Sequence, residues 1–236
     1  MATIAPLRSL IVSPAAKHTA TVIFVHGLGD TGHGWEPVAK MLAPKLPHVK
    51  WVLPHAPTIS ITANMGMLMP GWFDIKSFDF KTAEDEAGMM KTVHSLNQLI
   101  TAEVDGGIDA SRIVLGGFSQ GGAMTLLTGL TGERKLAGLV VLSGWLPLRN
   151  KVHTMFSDKA KEARIFWGHG EADPLVKYEY ATASRDFLKN QLKMEVTSGP
   201  ELKGLSFNTY PGLEHSTAPQ ELRDMVAWLE KALPPS

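Results

Sequence analysis

The chain has no cysteine. Disulfides, thiolate metal sites, a cysteine nucleophile and S-acylation of the chain itself are therefore excluded. Charge of one sign is also missing in excess. Lys and Arg number 23 against 23 Asp and Glu, and no basic or acidic block stands out. That argues against a nucleic-acid partner and against electrostatic docking to anionic membranes. No apolar run reaches the roughly 18 residues that a spanning helix needs. No long apolar stretch follows basic residues at the start, and position 2 is alanine, so neither a signal peptide nor N-myristoylation is expected. There is no Asn-x-Ser/Thr sequon, and no His/Asp/Glu group with ligand spacing such as H-E-x-x-H. The expectation is a soluble cytoplasmic protein with no stable membrane anchor, no metal and no cofactor. What is present is 44% apolar residues over 236 positions, enough for a substantial core. No linker, repeat or low-complexity tract divides it, so a single domain over 1–236 is expected.

Strand-like runs recur at Leu7–Val12, Thr21–His26, Val49–Leu53, Arg112–Leu115, Gly138–Ser143, Arg164–Trp167 and Leu205–Tyr210. Several are continuously apolar, as in strands buried on both faces of a parallel sheet. Helical patterns lie between them. Glu36–Leu46 carries Pro37 near its first turn and stops before Pro47. Ala83–Val104 places Met89, Val93, Leu96, Ile100 and Val104 on one stripe, with Thr82 and Asp85 resembling a capping box and Gly106 ending it. Lys177–Leu192 is a third, and Pro219–Leu233 puts Leu222, Met225, Val226 and Leu229 on one face. Strand and helix alternate, which predicts an α/β fold with a mainly parallel sheet and helices on both faces. Residues 58–71, with Ile59, Ile61, Met65, Met67, Leu68, Met69 and Pro70, show no clean period. They read as a core-covering loop or as an adaptable apolar wall for a greasy substrate.

The run Arg112–Leu115 leads into Gly116-Gly-Phe-Ser-Gln-Gly-Gly122, which contains Gly117-x-Ser119-x-Gly121. With a strand before it and a helix candidate from Ala123 after it, this is the pattern of a nucleophile elbow. The turn is tight enough that a Cβ two residues before or after the serine would clash, so glycine there has a steric cause. Gln120 would bring a backbone N–H at a helix N-terminus, where an oxyanion can be held.

Gly27-Leu-Gly-Asp-Thr-Gly32 matches G-x-G-x-x-G after a strand. A dinucleotide site also needs a helix opening at that turn and a carboxylate about 20 residues on. Here the helix pattern starts only near Glu36, and the next strand ends at Leu53-Pro-His55 with no carboxylate. The same residues instead read as the loop that supplies a second oxyanion N–H in α/β-hydrolases, with Leu28 the donor.

A serine needs a histidine base and a carboxylate to orient it, in the order Ser, acid, His for this fold. After Ser119 the histidines are His153, His169 and His215. His215 follows the strand Leu205–Tyr210 and precedes the last helix, which suits a base. His169 precedes the best acid, Asp173, and would reverse the order. Glu171 and Glu214 compete as acids. His26 reads as a brace for the oxyanion loop.

Together these stretches resemble the acyl-protein thioesterases, a group of lysophospholipase-like carboxylesterases. The resemblance runs from about residue 12 to 233. It is carried by Phe24-Val-His-Gly-Leu-Gly-Asp30, Pro54-His-Ala-Pro57, Met69-Pro-Gly-Trp-Phe-Asp-Ile75, Glu84-Asp-Glu86, Ile113–Ala123, Leu142–Leu148, His169–Leu175 and Tyr210-Pro-Gly-Leu-Glu-His215. It implies an α/β-hydrolase that removes S-palmitoyl groups from proteins, and often cleaves lysophospholipids or small esters. It implies Ser119, Asp173 and His215 as a triad, Leu28 and Gln120 as the oxyanion hole, and Ile75, Trp145 and Leu175 as the acyl channel, with the 58–71 loop above it. Monomers or weak homodimers are implied as well. A lysophospholipase or broad carboxylesterase, and a non-catalytic hydrolase-fold binding protein, are the competing readings. Lys151–Glu162 and Ser198–Leu205 look unlike the relatives. The N-terminal cysteine that some relatives carry is missing.

Overall fold

The computed structural model describes residues 6–77 and 84–235. In chain order these form β1 (Ser9–Val12), β2 (Ala20–Val25), α1 (Gly32–Leu42), β3 (Val49–Pro54), β4 (Thr58–Ile61), β5 (Met67–Pro70) and α2 (Glu86–Asp105). They continue with β6 (Ile113–Phe118), α3 (Gln120–Thr131), β7 (Gly138–Leu142), β8 (Ile165–Gly170), α4 (Tyr178–Leu192), β9 (Val196–Thr197), β10 (Leu205–Tyr210) and α5 (Pro219–Ala232). The main sheet has the order β1-β3-β2-β6-β7-β8-β10-β9. Within this sheet, among the described residues, only the β1–β3 pair is antiparallel.

Alternation along β2 sorts the core. Val22 and Phe24 face a layer built from Trp35 and Ala39 of α1 and Met225, Trp228 and Leu229 of α5. Ile23 and Val25 face the other layer, with Met89, Val93, Leu96 and Ile100 of α2 and the apolar residues of α3 and α4. The continuous apolar runs are thus strands covered on both faces. α3 is buried almost all round, from Gln120 to Leu130, because it runs back beneath the centre of the sheet.

Element boundaries differ from expectation in two informative places. α1 begins at Gly32, not Glu36, because the Thr31 hydroxyl accepts from the His33 N–H and caps the helix. Pro37 therefore lies inside the helix. One argument against a dinucleotide site falls with this, since a helix does open at the glycine turn. The missing carboxylate after β3 still stands against it. α2 begins at Glu86, with Asp85 as its cap accepting from Gly88. Thr82 and the start at Ala83 lie outside the described residues.

Residues 58–71 are not a loop. β4 and β5 form a separate antiparallel hairpin, Thr58 opposite Pro70 and Ile61 opposite Met67. Thr-Ile-Ser-Ile alternates as a strand should, but Met-Leu-Met-Pro is apolar throughout and hides the period. The tip is exposed: Met65 is 91% and Leu68 74% accessible. The root, by contrast, bonds into the fold, with the Gly29 N–H donating to the Pro70 carbonyl at 2.8 Å.

Candidate active site

The elbow is a backbone feature before it is a chemical one. Ser119 has φ 56° and ψ −119°, a strained conformation for a side-chain-bearing residue. A Cβ on Gly117 would lie 2.4 Å from Gly121 backbone atoms, and one on Gly121 would lie 2.1 Å from the Val25 carbonyl oxygen. The spacing of glycines is therefore forced by the turn and by β2 alongside it. The Ser119 N–H donates to the Leu142 carbonyl at 2.8 Å, which anchors the turn to β7.

Two loops at the same sheet end reach the serine. His215, between β10 and α5, places Nε2 2.9 Å from Ser119 Oγ. Its Nδ1 lies 2.7 Å from Asp173 Oδ2 in the loop after β8. Asp173 Oδ1 accepts from the Leu175 and Val176 N–H groups, each at 2.9 Å. Two backbone donors on one oxygen fix the orientation of the side chain in the turn. Glu171 and Glu214 are exposed. Phe118 covers the other side of the His215 ring, with centroids 4.9 Å apart. His169 lies within β8 and is buried.

The start of α3 and the loop after β2 rest on a buried polar scaffold beside Ser119. Gln120 opens α3, so its N–H is one of the first-turn donors without an intrahelical acceptor. Its side chain holds Trp72 and Phe73: Oε1 accepts from the Trp72 N–H and Nε2 donates to the Phe73 carbonyl, both at 2.8 Å. The Trp72 indole N–H donates to the His26 carbonyl at 2.8 Å. His26 Nε2 accepts from the Ala56 N–H at 3.1 Å, so Nδ1 carries the proton and donates to the Gly27 carbonyl at 2.7 Å. Burial holds the His26 pKa below its ordinary value, keeping the brace neutral.

A cavity of about 250 Å³ opens at Ser119. Its walls include Leu28, Ile75, Trp145 and Leu175, together with Asp30, Phe118 and Val176, which sequence reasoning did not name. Phe118 is the variable position inside G-x-S-x-G, and Val176 follows Leu175, so adjacency was the only available signal. No residue of 58–71 lines this cavity. The hairpin meets the site through its root, where Gly71 lies against Leu28 and Ile59. Residues 151–162 and 198–205 are likewise absent from its walls.

Glu84-Asp-Glu86 acquires a reason in the fold. Glu84 Oε2 accepts from the Leu148 N–H at 2.7 Å and its carboxyl also bonds the Trp145 side chain. Its pKa is raised, chiefly by burial. Asp85 accepts from the Asp74 N–H at 2.9 Å, next to Ile75. Glu86 pairs with Lys151. Both apolar walls are thus tied to the start of α2. No group of three or more potential metal ligands occurs among the described residues.

Crossover helices on both faces of a parallel sheet, with Ser119 raised at the end of a central strand, make this an α/β-hydrolase fold. Residues 7–233 match the family described as Phospholipase/Carboxylesterase, and the chain belongs to that family. It is 52% identical over 233 residues to "Acyl-protein thioesterase 1" of Cryptococcus neoformans var. neoformans serotype D (strain JEC21), covering 96% of this chain and 98% of that one. The protein of the same name from Mycosarcoma maydis is 48% identical over 241 residues, covering 97% of this chain and 98% of that one. The crystal structure of Zea mays acyl-protein thioesterase 2 superposes with a TM-score of 0.83 at 28% identity, covering 96% of this chain and 99% of that one.

Proposed function

We propose that the protein is a serine hydrolase that cleaves fatty acyl thioesters from S-acylated proteins through an acyl-enzyme. The observation that carries this reading is the unbroken hydrogen-bonded line from Ser119 through His215 to Asp173. In this mechanism Ser119 Oγ attacks the thioester carbonyl carbon while His215 Nε2 takes its proton. Asp173 stabilises the resulting imidazolium and holds its tautomer. The tetrahedral oxyanion is received by the Leu28 and Gln120 N–H groups. Collapse expels the thiolate, which takes the proton from His215 and leaves Ser119 acylated. Water, deprotonated by the same histidine, then releases the fatty acid. Ile75, Trp145 and Leu175 hold the acyl chain in the apolar cavity. The names of the fungal relatives support proteins as the acyl donors.

A second reading, hydrolysis of lysophospholipids or small carboxylic esters, draws on the same cavity. Its volume of about 250 Å³ is below the roughly 300–1,000 Å³ usual for ligand pockets and suits a short or medium chain as it stands. We place the protein in the cytoplasm as a monomer or weak homodimer. The test compares kcat/KM on a palmitoylated peptide with that on a lysophospholipid, alongside labelling of Ser119 by a fluorophosphonate probe. Absence of labelling would sink both enzymatic readings and leave a hydrolase-fold binding protein. Faster turnover of the lysophospholipid would favour the second.

A further inference from the structure

His169 is a buried titratable group that this mechanism leaves unused. Its ring is fully enclosed at the end of β8. Nε2 lies 2.8 Å from the Val176 carbonyl oxygen, which can only accept, so Nε2 carries the proton and donates. Nδ1 then holds a lone pair with no partner among the described residues. The same Nε2 lies 3.7 Å from Asp173 Oδ2, the oxygen that His215 uses. The Val176 N–H returns to Asp173 Oδ1 at 2.9 Å. A continuous chain results: His169 to the Val176 carbonyl, Val176 amide to Asp173, Asp173 to His215. Val176 is also a wall of the cavity at Ser119.

Space filling alone does not account for an imidazole here. An unpartnered ring nitrogen in the interior carries a desolvation cost that a phenyl ring would avoid. What the imidazole adds is one N–H aimed at the carbonyl that closes the acid turn. Burial lowers its pKa and keeps it neutral, so it does not compete with His215 for the carboxylate. The titratable groups facing it are Asp173 on its own loop, His215 from the loop after β10, and Tyr178 of α4, whose ring centroid is 6.3 Å away. Its partner across from β10 is the uncharged Thr209.

We propose that His169 is a positioning residue for the acid: its Nε2–H holds the 173–176 turn on the Val176 carbonyl, so that Asp173 presents Oδ2 to His215. This rests on the reading of Asp173 as the orienting acid. The first measurement uses the unmodified protein. Nitrogen chemical shifts should show His169 as the neutral Nε2–H tautomer at neutral pH, titrating below the ordinary histidine range. The opposite tautomer, or an imidazolium at neutral pH, overturns the proposal. The second uses His169→Phe, which keeps the bulk and loses the donor, and His169→Gln, whose amide can reach the same carbonyl. For a short soluble ester, His169→Phe should lower kcat about thirtyfold with KM changed by less than about twofold. The acidic limb of its kcat/KM profile should move to lower pH, because a slackened carboxylate stabilises the imidazolium of His215 less. The far-downfield proton of His215 Nδ1–H should move upfield. His169→Gln should recover kcat to within about threefold of wild type. Equal losses in both variants, or a phenylalanine variant with unchanged kcat, overturn the proposal. Should His169→Phe not fold, the tautomer and the glutamine variant decide: a folded His169→Gln with under about a tenth of wild-type kcat overturns it. Activity surviving in Ser119→Ala would sink the triad reading instead, which the tautomer measurement does not depend on.

Discussion

The 170–176 turn and the β4–β5 hairpin both reach the surroundings of Ser119, and they are built in opposite ways. The turn is short and organised by one buried polar side chain, and both carboxyl oxygens of Asp173 are engaged, by Leu175, Val176 and His215. The hairpin is apolar, forms its own two-stranded sheet and carries its large side chains outward at Met65, Met67 and Leu68. A buried polar group with every partner in place has one good geometry, because each lost bond leaves an uncompensated group. An exposed apolar tip has no such constraint. The difference teaches where reaction geometry resides: in the turn and the elbow, while the hairpin contributes only through its root at Pro70 and Gly71.

The sharpest way to break that contrast is at the elbow itself. Ser119→Ala should lower kcat by about a million-fold with the fold intact, because alanine removes only the hydroxyl. Retention of a tenth of the esterase activity would end the serine mechanism. At the turn, Asp173→Asn should lower kcat by about 10⁴ by favouring the wrong His215 tautomer. Glu171→Gln and Glu214→Gln should each cost far less, since both side chains are exposed. A greater loss at either glutamate would move the acid. For the walls, each methylene entering the cavity should raise kcat/KM roughly fourfold, from about 0.8 kcal/mol of burial. Trp145→Ala should flatten that slope on soluble thioesters while acetyl-ester hydrolysis stays nearly constant. A flat wild-type profile from about two to ten carbons would remove the acyl channel.

A fourth expectation concerns the buried carboxyl of Glu221, in the first turn of α5 and packed against Gly168 of β8. Burial, with a smaller contribution from the Asp224 charge, raises its pKa to about 8. A raised folded pKa means that the unfolded chain releases this proton first. The stability it contributes is complete below the ordinary carboxylate range and is lost as pH rises through about 8. Glu221→Gln should therefore raise the unfolding midpoint at pH 9 and leave it unchanged near pH 4. At about 1.4 kcal/mol per pKa unit the effect at pH 9 is a few kcal/mol at most. An equal effect at both pH values would contradict the assignment. The smallest change belongs to the hairpin: Met65→Ser with Leu68→Ser should alter neither stability nor short-ester turnover by more than about twofold, both side chains being off the cavity walls. A large loss would show that the tip does share in the geometry of the site.

Much of this protein was determined by sequence alone. Gly117-x-Ser119-x-Gly121 between a strand and a helix states its own steric cause, and the order Ser119, Asp173, His215 follows from one rule of the fold. Seven of the eight main-sheet strands were legible, β2 and β7 most plainly, because strands covered on both faces are continuously apolar. Tertiary structure decided the rest. Met67–Pro70 lacks a period, so only pairing with Thr58–Ile61 made it a strand. The capping hydroxyl of Thr31, rather than the apolar pattern, set the start of α1. Phe118 and Val176 became walls, Glu84 a tie for Trp145 and Leu148, and Gln120 a clamp on Trp72 and Phe73. Burial, two backbone N–H groups and the contact with His215 distinguish Asp173 from the exposed Glu171 and Glu214. Short-range patterns record the demands of the local backbone. Which buried polar group faces which partner across 40 to 100 residues is a property of the folded sheet, and composition and spacing do not encode it.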